Sequence, residues 1–493
     1  MRKIFSKTSL PHWLLSILAL VLILRIPSFF EPYFYGDEMI YMSLGQGVRQ
    51  GLTLYKDIHD NKPPLLYWTA AAAGSLFWFK AILTFFNLAT IVVFYKLAER
   101  FFLKNLKGQK IATFLFAMLT TLPLLEGNIV NSELFMIGFT VAALLILLGE
   151  SLKPKKIFFA GTLFGIGTLF KIPAAFDVPV IVAFWLITTD FKDWKKVIKN
   201  TIILALGFAA PILITFGWYY LRGALPEYIK AAFMQNVGYL SSFRPGDVQK
   251  PFYVRNAPLL IRAFIVLIGS GTLFVFRKKL SKNFILLTLW VLFGLFAVTL
   301  SERPYPHYFI QVAAPVVLLL TLFFAEKTIE QALVVIPLAL AFAIPVYYKF
   351  YYYPTATYYT RFISFATGKI DKGTYFQSFS PNTNRNYELA EFLRTSGRAS
   401  DRVFMWDSDS SVVYALARRL PPTKYVADYH VNDYSNRGEI AAEINRKLPK
   451  FIILTSGHPY PELNQTLKDS YLLITQIQNA NIYSRRDFAP KPE

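Results

Sequence analysis

Long apolar runs recur through the first 350 or so residues of the chain, with short lysine and arginine clusters between them; Trp13 to Ile26, Ile111 to Leu125, Leu134 to Leu148 and Phe284 to Leu300 are examples. A bilayer leaves the backbone two ways of satisfying its polar groups, the helix and the closed barrel. Runs approaching the ~20 residues of a helical span select the helix. Of the 493 residues, 54% are hydrophobic and only 17% charged. A soluble domain carries about 25% charged residues, so an ordinary soluble enzyme is excluded.

Length and hydrophobicity give about eleven spans, near 11–30, 76–98, 111–126, 133–150, 157–171, 174–189, 200–221, 257–276, 283–300, 308–325 and 330–350. The formal charge of +21 resides largely in clusters between spans, where it sets topology; no nucleic-acid partner is implied. Arg2, Lys3 and Lys7 place the N-terminus in the cytoplasm, and alternate connections are again basic, at Arg100 to Lys110, Lys153 to Lys156, Lys192 to Lys199, Arg277 to Lys282 and Lys327. An odd number of spans puts the C-terminal part on the other side of the plasma membrane. The chain has no cysteine, which removes disulfides, thiolate metal sites and a cysteine nucleophile.

The division in composition falls near residue 350: a polytopic, mainly α membrane domain over 1–350 and an extracytoplasmic α/β domain over 351–493. In the latter, helical patterns at 386–396, 410–419 and 437–447 alternate with strand patterns at Val403 to Trp406, Phe451 to Leu454 and Leu472 to Thr475. Asp407 and Asp409 read as caps of the helix that begins near Ser410.

Two outward connections exceed the length of a turn. Residues 31–75 hold an amphipathic segment after Asp37 and a second short helix opened by Pro63-Pro64, both expected at the outer membrane surface. Residues 222–256 carry aromatics around Arg244 and read as interfacial too.

Chemistry concentrates at the outer ends of spans. Asp37 and Glu38 offer carboxylates, with two readings open: a general base or cation ligand, and a helix-start acid facing the dipole. Lys62, in Asn61-Lys62-Pro63-Pro64 with Tyr67 nearby, can meet a lipid phosphate or snorkel. Arg303 offers a planar fork and His307 a donor titrating near neutrality, beside Tyr308. Asn131, Glu133 and Lys171 belong to the same predicted face, and ionisable groups there that are not topology signals point to function.

Asp37-Glu38-x-x-Tyr41, Gly51-x-x-x-Tyr55-x-Asp57, Lys62-Pro63-Pro64-Leu65-x-Tyr67-Trp68, Asn131-Ser132-Glu133, Gly165-x-x-x-x-Phe170-Lys171 and His307-Tyr308 together resemble the GT-C membrane glycosyltransferases. The branch they resemble is the protein O-mannosyltransferase and lipid A aminoarabinose transferase superfamily, glycosyltransferase family 39-like, over about residues 10–350. The resemblance implies a GT-C fold with interfacial helices in the first outer loop. It also implies transfer of a hexosyl or pentosyl group from a polyprenyl-phosphate-linked donor to a glycan, lipid or protein acceptor on the non-cytoplasmic face. By the same resemblance Asp37 is the catalytic carboxylate, Glu38 and Glu133 lie on the acceptor or metal side, and Lys62, Arg303 and His307 hold the donor phosphate. Tyr41, Asn61, Tyr67, Asn131, Lys171, Arg244 and Tyr308 complete the candidate site. A divalent metal ion is the one cofactor left open, and Asn61 departs from the acidic residue that aminoarabinose transferases tend to carry there. The competing expectation is a multi-pass transporter or lipid flippase with an outer ligand-binding domain; it differs in placing polar groups at the bilayer midplane on broken helices.

Overall fold

The computed structural model describes residues 10–149, 151–238, 250–325 and 329–488. Arg244, Lys327 and the N-terminal basic cluster lie outside the described residues. Each of the eleven apolar ranges is helical. Among the described residues, six helices are long and apolar enough to cross a membrane: His12–Phe30, Leu76–Phe101, Phe191–Leu221, Phe252–Phe276, Pro306–Phe324 and Ile329–Tyr347. Ser132–Leu147, Ile172–Thr188 and Lys282–Val298 are shorter apolar helices. The chain is therefore a mainly helical polytopic membrane protein with a small C-terminal sheet.

Contacts divide the chain into two units: Met1–Ser28 with Lys80–Trp218 and Met234–Tyr358, and Phe29–Phe79 with Tyr219–Phe233 and Tyr359–Glu493. This grouping is by contact, whereas the division near residue 350 marks where the apolar runs end.

The first unit is the helical bundle. Helices Pro154–Phe170 and Trp194–Leu221 cross at small residues: a Cβ on Gly161 would lie 2.2 Å from the Leu204 carbonyl oxygen, and one on Gly165 2.3 Å from that of Phe208. Such spacing lets backbones approach where hydrophobicity cannot drive association. Inside the bundle, Asp177 accepts from Thr140 Oγ1 at 3.0 Å and from Trp290 Nε1 at 3.2 Å, so this acid is locked by three helices.

In the second unit, Pro64 stands just before helix Leu65–Ala73, as the tolerance of proline at a helix start predicts. Helix Gly36–Arg49 is buried continuously from Glu38 to Gly47, packed against Leu65–Ala73 and against Ser410–Ala417 of the C-terminal part. Ser43 Oγ donates to the Ser411 carbonyl at 3.1 Å and Gln46 Nε2 to that of Ala415 at 2.9 Å. The loop over residues 31–75 and the C-terminal α/β segment thus form one packed body. Gly45 sets the helix crossing, since an added Cβ would lie 2.7 Å from Ala71 N. Gly45→Val is expected to destabilise this unit by about 1–3 kcal/mol through overpacking. A thermal midpoint in detergent equal to the parent's would contradict that contact.

The sheet has the order β1-β2-β4-β3, with β1 Val403–Trp406 and β2 Phe451–Thr455 parallel, and β3 Tyr471–Ile477 and β4 Ala480–Arg485 both antiparallel to their neighbours. The first three strands match the expected positions and β4 is additional. Its core holds Phe404, Trp406, Ile452, Tyr460 and Ile444. The capping expected of Asp407 and Asp409 is met in part: Asp407 Oδ1 accepts the N–H of Asp409, the residue before the helix, at 2.8 Å, whereas Asp409 makes no side-chain cap bond. Both carboxylates also face the buried guanidinium of Arg385, whose Nη2 lies 3.1 Å from Asp407 Oδ1 and 3.4 Å from Asp409 Oδ2. A buried arginine without such partners would be far costlier than an uncapped short helix.

Candidate active site

The expected site residues fall into two clusters, one in each unit. In the second unit, helix Gly36–Arg49 starts after the extended Tyr35 with no side-chain cap. Asp37, in its first turn, turns to neighbours rather than to the helix end. Tyr41, one turn on, donates its hydroxyl to Asp37 Oδ2 at 2.9 Å, and Lys62 Nζ lies 3.5 Å from the same oxygen. The ammonium is also 5.0 Å from the Tyr41 ring centroid and 4.0 Å from Asp60 Oδ2.

Loop geometry delivers Lys62. Gly51 and Tyr55 both have positive φ, +88° and 76°, which folds the loop back on itself. Such a conformation is rare for a bulky residue. Tyr55 is held in it by rings of Tyr219 and Tyr228 at 5.3 and 5.2 Å, and its hydroxyl donates to the Lys62 carbonyl at 2.8 Å. Burial and the neighbouring Tyr219 and Tyr228 push the Tyr55 phenol well above its ordinary pKa, so it acts as a neutral donor.

Asp60 was not assigned a role by the sequence reading, yet it is the hub of this cluster. It is 1% exposed, accepts from Tyr67 at 2.7 Å and from the Asn61 N–H at 2.7 Å, and lies 3.4 Å from His430 Nε2. Burial by itself would raise its pKa; the Lys62 ammonium, His430 and the Tyr67 hydroxyl outweigh burial and hold the carboxyl far below the usual range. A carboxyl lowered on folding contributes stability above its unfolded value near 4, lost only as pH falls through the lower folded value. Mild acid therefore leaves Asp60 charged. Burial and the adjacent Asp60 charge push the Tyr67 phenol well above its ordinary value. The exposure gradient is informative: Asp60 is enclosed, whereas the Asp37 side chain is 33% exposed and that of Lys62 20%. Of the two adjacent carboxylates Asp37 is the one open to solvent, while Glu38 is fully buried.

In the first unit, a chain of polar contacts runs Glu126, His307, Glu133, Lys171. His307 Nδ1 pairs with Glu126 Oε2 and its Nε2 lies 3.7 Å from Glu133 Oε1, which pairs in turn with Lys171 Nζ. Asn131 Nδ2 donates to Glu126 Oε2 at 3.1 Å. Lys171 sits where helix Pro154–Phe170 ends in extended backbone, just before Pro173, and its ammonium stands 3.9 Å over the Tyr308 ring. Glu126 takes a left-handed φ of 56° while fully buried. The sequence reading assigned it no role, and the available signal was an acid closing an otherwise apolar run. His307 is buried with both ring nitrogens toward carboxylates, and Arg303 is exposed. Among the described residues, no three His, Asp or Glu side chains gather as a metal-binding group.

The structure thus brings Asp37, Tyr41, Asn61, Lys62 and Tyr67 together in one unit, and Asn131, Glu133, Lys171, His307 and Tyr308 in the other. His430 carried no sequence signal, since its helix Asp428–Tyr434 is short and its partner lies far along the chain.

No protein-family profile matches the chain, and no curated protein matches it. Solved structures do. ArnT from Cupriavidus metallidurans bound to undecaprenyl phosphate aligns with a TM-score of 0.58 at 14% identity, covering 98% of this chain and 100% of that one. Its apo state gives 0.56. The apo oligosaccharyltransferase of Archaeoglobus fulgidus gives 0.50 at 14% identity, covering 90% of this chain and 70% of that one. At such identity the likeness is one of architecture: this chain has the GT-C fold.

Proposed function

We propose that the chain is a glycosyltransferase that moves a sugar from a polyprenyl-phosphate-linked donor to a hydroxyl of a glycan, lipid or protein acceptor on the non-cytoplasmic face of the plasma membrane. The observation that carries this reading is Asp37: a carboxylate one-third exposed, oriented by a tyrosine hydroxyl and flanked by an ammonium. The architecture is shared with a protein solved with undecaprenyl phosphate bound.

In the proposed step the acceptor oxygen forms a bond to the anomeric carbon as the carbon–oxygen bond to phosphate breaks. Asp37 takes the acceptor proton, and the carrier leaves as polyprenyl phosphate with the bonding pair. A phosphate ester is already a competent leaving group, so the protein's task is positioning, proton removal and charge stabilisation. Attack opposite the departing phosphate inverts the anomeric centre. Lys62, adjacent to Asp37, is the cation for that phosphate. The exposed Arg303 is a phosphate-binding cation by type, and Glu133 and His307 act as positioning residues of their own cluster.

Lys62→Ala is expected to raise the apparent KM for the lipid-linked donor by about tenfold or more, consistent with loss of a charge-assisted contact, and to change the acceptor KM much less. Equal effects on both substrates would count against the phosphate role. Sidedness is testable without background because the chain has no cysteine. A thiol at the exposed Gly36, where a Cβ meets nothing within 4 Å, should react with an impermeant maleimide in intact cells. One replacing the exposed Lys104 should react only after lysis. The reverse pattern would overturn the assignment of the acceptor face.

A further inference from the structure

The second unit contains a separate cavity of about 670 Å³, between the loop around Lys56 and residues 402–447. That volume lies within the ~300–1,000 Å³ of small-molecule sites. Its acids are already engaged: Asp57 accepts the Thr53 N–H at 2.7 Å, Glu439 the Ser435 hydroxyl at 2.9 Å, and Glu443 pairs with Lys447 at 2.6 Å. Its bases are not all so matched. Arg402 is partly buried and lines the cavity, and no hydrogen bond, ion pair or ring contact from the described residues reaches its guanidinium. Burial holds it below the ordinary arginine pKa. The Lys424 ammonium, also on the wall, has the Tyr425 ring at 5.2 Å. Its guanidinium nitrogens are open to solvent within the cavity, so an entering anion meets a charge that makes no contact within the fold.

We propose that this cavity binds a saccharide-sized anion, a sugar bearing a carboxylate or a phosphate, with Arg402 as the bidentate anchor, Lys424 as a second cation and Tyr425 and Tyr434 as the ring-lined wall. A planar guanidinium fork matches both anions. The aromatic wall offers an apolar face for a sugar ring with polar tips at its edge. The site does not depend on the transferase reading. It adjoins the Asp60 cluster through His59, whose N–H bonds the Lys424 carbonyl at 2.9 Å and whose ring contacts Tyr425 and Tyr434 at 5.3 and 5.1 Å.

The test is calorimetric titration of the purified full-length protein, in detergent at low salt, with glucuronate, glucose 6-phosphate and glucose, each to about 10 mM, which brackets the millimolar affinity of a weak site. At least one anion should bind saturably and raise the thermal midpoint, and neutral glucose should not. Binding of glucuronate alone identifies a carboxylate site, and of glucose 6-phosphate alone a phosphate site. Arg402→Gln should weaken binding about tenfold or more, while the ligand-free midpoint holds, because the guanidinium makes no contact within the fold. Arg402→Lys, which keeps the charge and loses the fork, should fall between. The proposal is overturned if neither anion binds better than glucose, or if Arg402→Gln binds them as well as the parent does.

Discussion

Asp37→Asn should reduce sugar transfer by about 10²–10⁴-fold in kcat, the range for loss of a general base, with the protein still inserted and folded. The fold should tolerate the change because Asp37 is partly exposed and Lys62 retains Asp60 at 4.0 Å. The amide keeps the shape and can still accept from Tyr41, but it cannot take a proton. A base role also predicts that the acid limb of the pH–rate profile disappears in the residual activity, and that Asp37→Glu retains more activity than the amide. A merely structural Asp37 would lower the unfolding midpoint and leave the pH profile unmoved. Parental turnover in Asp37→Asn would remove the assignment.

His307→Phe should cost about 1–3 kcal/mol of stability, the range for leaving a buried polar group without its hydrogen-bond partner. His307 stands between two carboxylates that are 0% and 2% exposed, Glu126 and Glu133, and phenylalanine fills its space while supplying neither ring nitrogen. Glu133 keeps Lys171 and Glu126 keeps the Asn131 amide, so the loss should fall mainly on the contact of His307 Nδ1 with Glu126. Adding Glu126→Gln should then recover part of the loss, a positive coupling that independent sites would not give. Unfolding midpoints of the parent, the single variants and the double variant in one detergent measure it. A His307→Phe protein as stable as the parent would show that this chain of polar contacts does not hold the bundle together.

Much of the architecture was legible because lipid imposes one rule on every span. Apolar length found all eleven helical ranges, including the pair separated at Lys171, where Pro173 stops the helix and the backbone becomes extended. Three strands were readable as short apolar runs. Strand β4 was not, since Asn481, Ser484 and Arg485 dilute its alternation, although Ala480, Ile482 and Ser484 do face inward. The site was legible in part. Motif order singled out Asp37, Lys62, Glu133, Lys171 and His307, and the structure pairs Asp37 with Lys62 and sets Glu133 between Lys171 and His307. The two groups that organise these pairs were missed. Asp60 meets His430 across 370 positions, and Glu126 meets His307 across 181, separations at which periodicity carries no information. The two readings of Asp37 were undecidable from a helix start alone, and the structure shows features of both: Asp37 lies in the first turn of its helix and also meets Tyr41 and Lys62.

The central claim is bond cleavage in a lipid-linked sugar. Lipids extracted from cells lacking the protein, in which unused donor accumulates, can be incubated with purified parent and Asp37→Asn proteins and the carriers weighed by mass spectrometry. The account predicts that the parent converts the sugar-bearing carrier to bare polyprenyl phosphate with one glycosylated product per carrier released, and that Asp37→Asn leaves the donor intact. Donor recovered whole after incubation with the parent, yet moved across the membrane of sealed vesicles, would contradict it and identify a transporter.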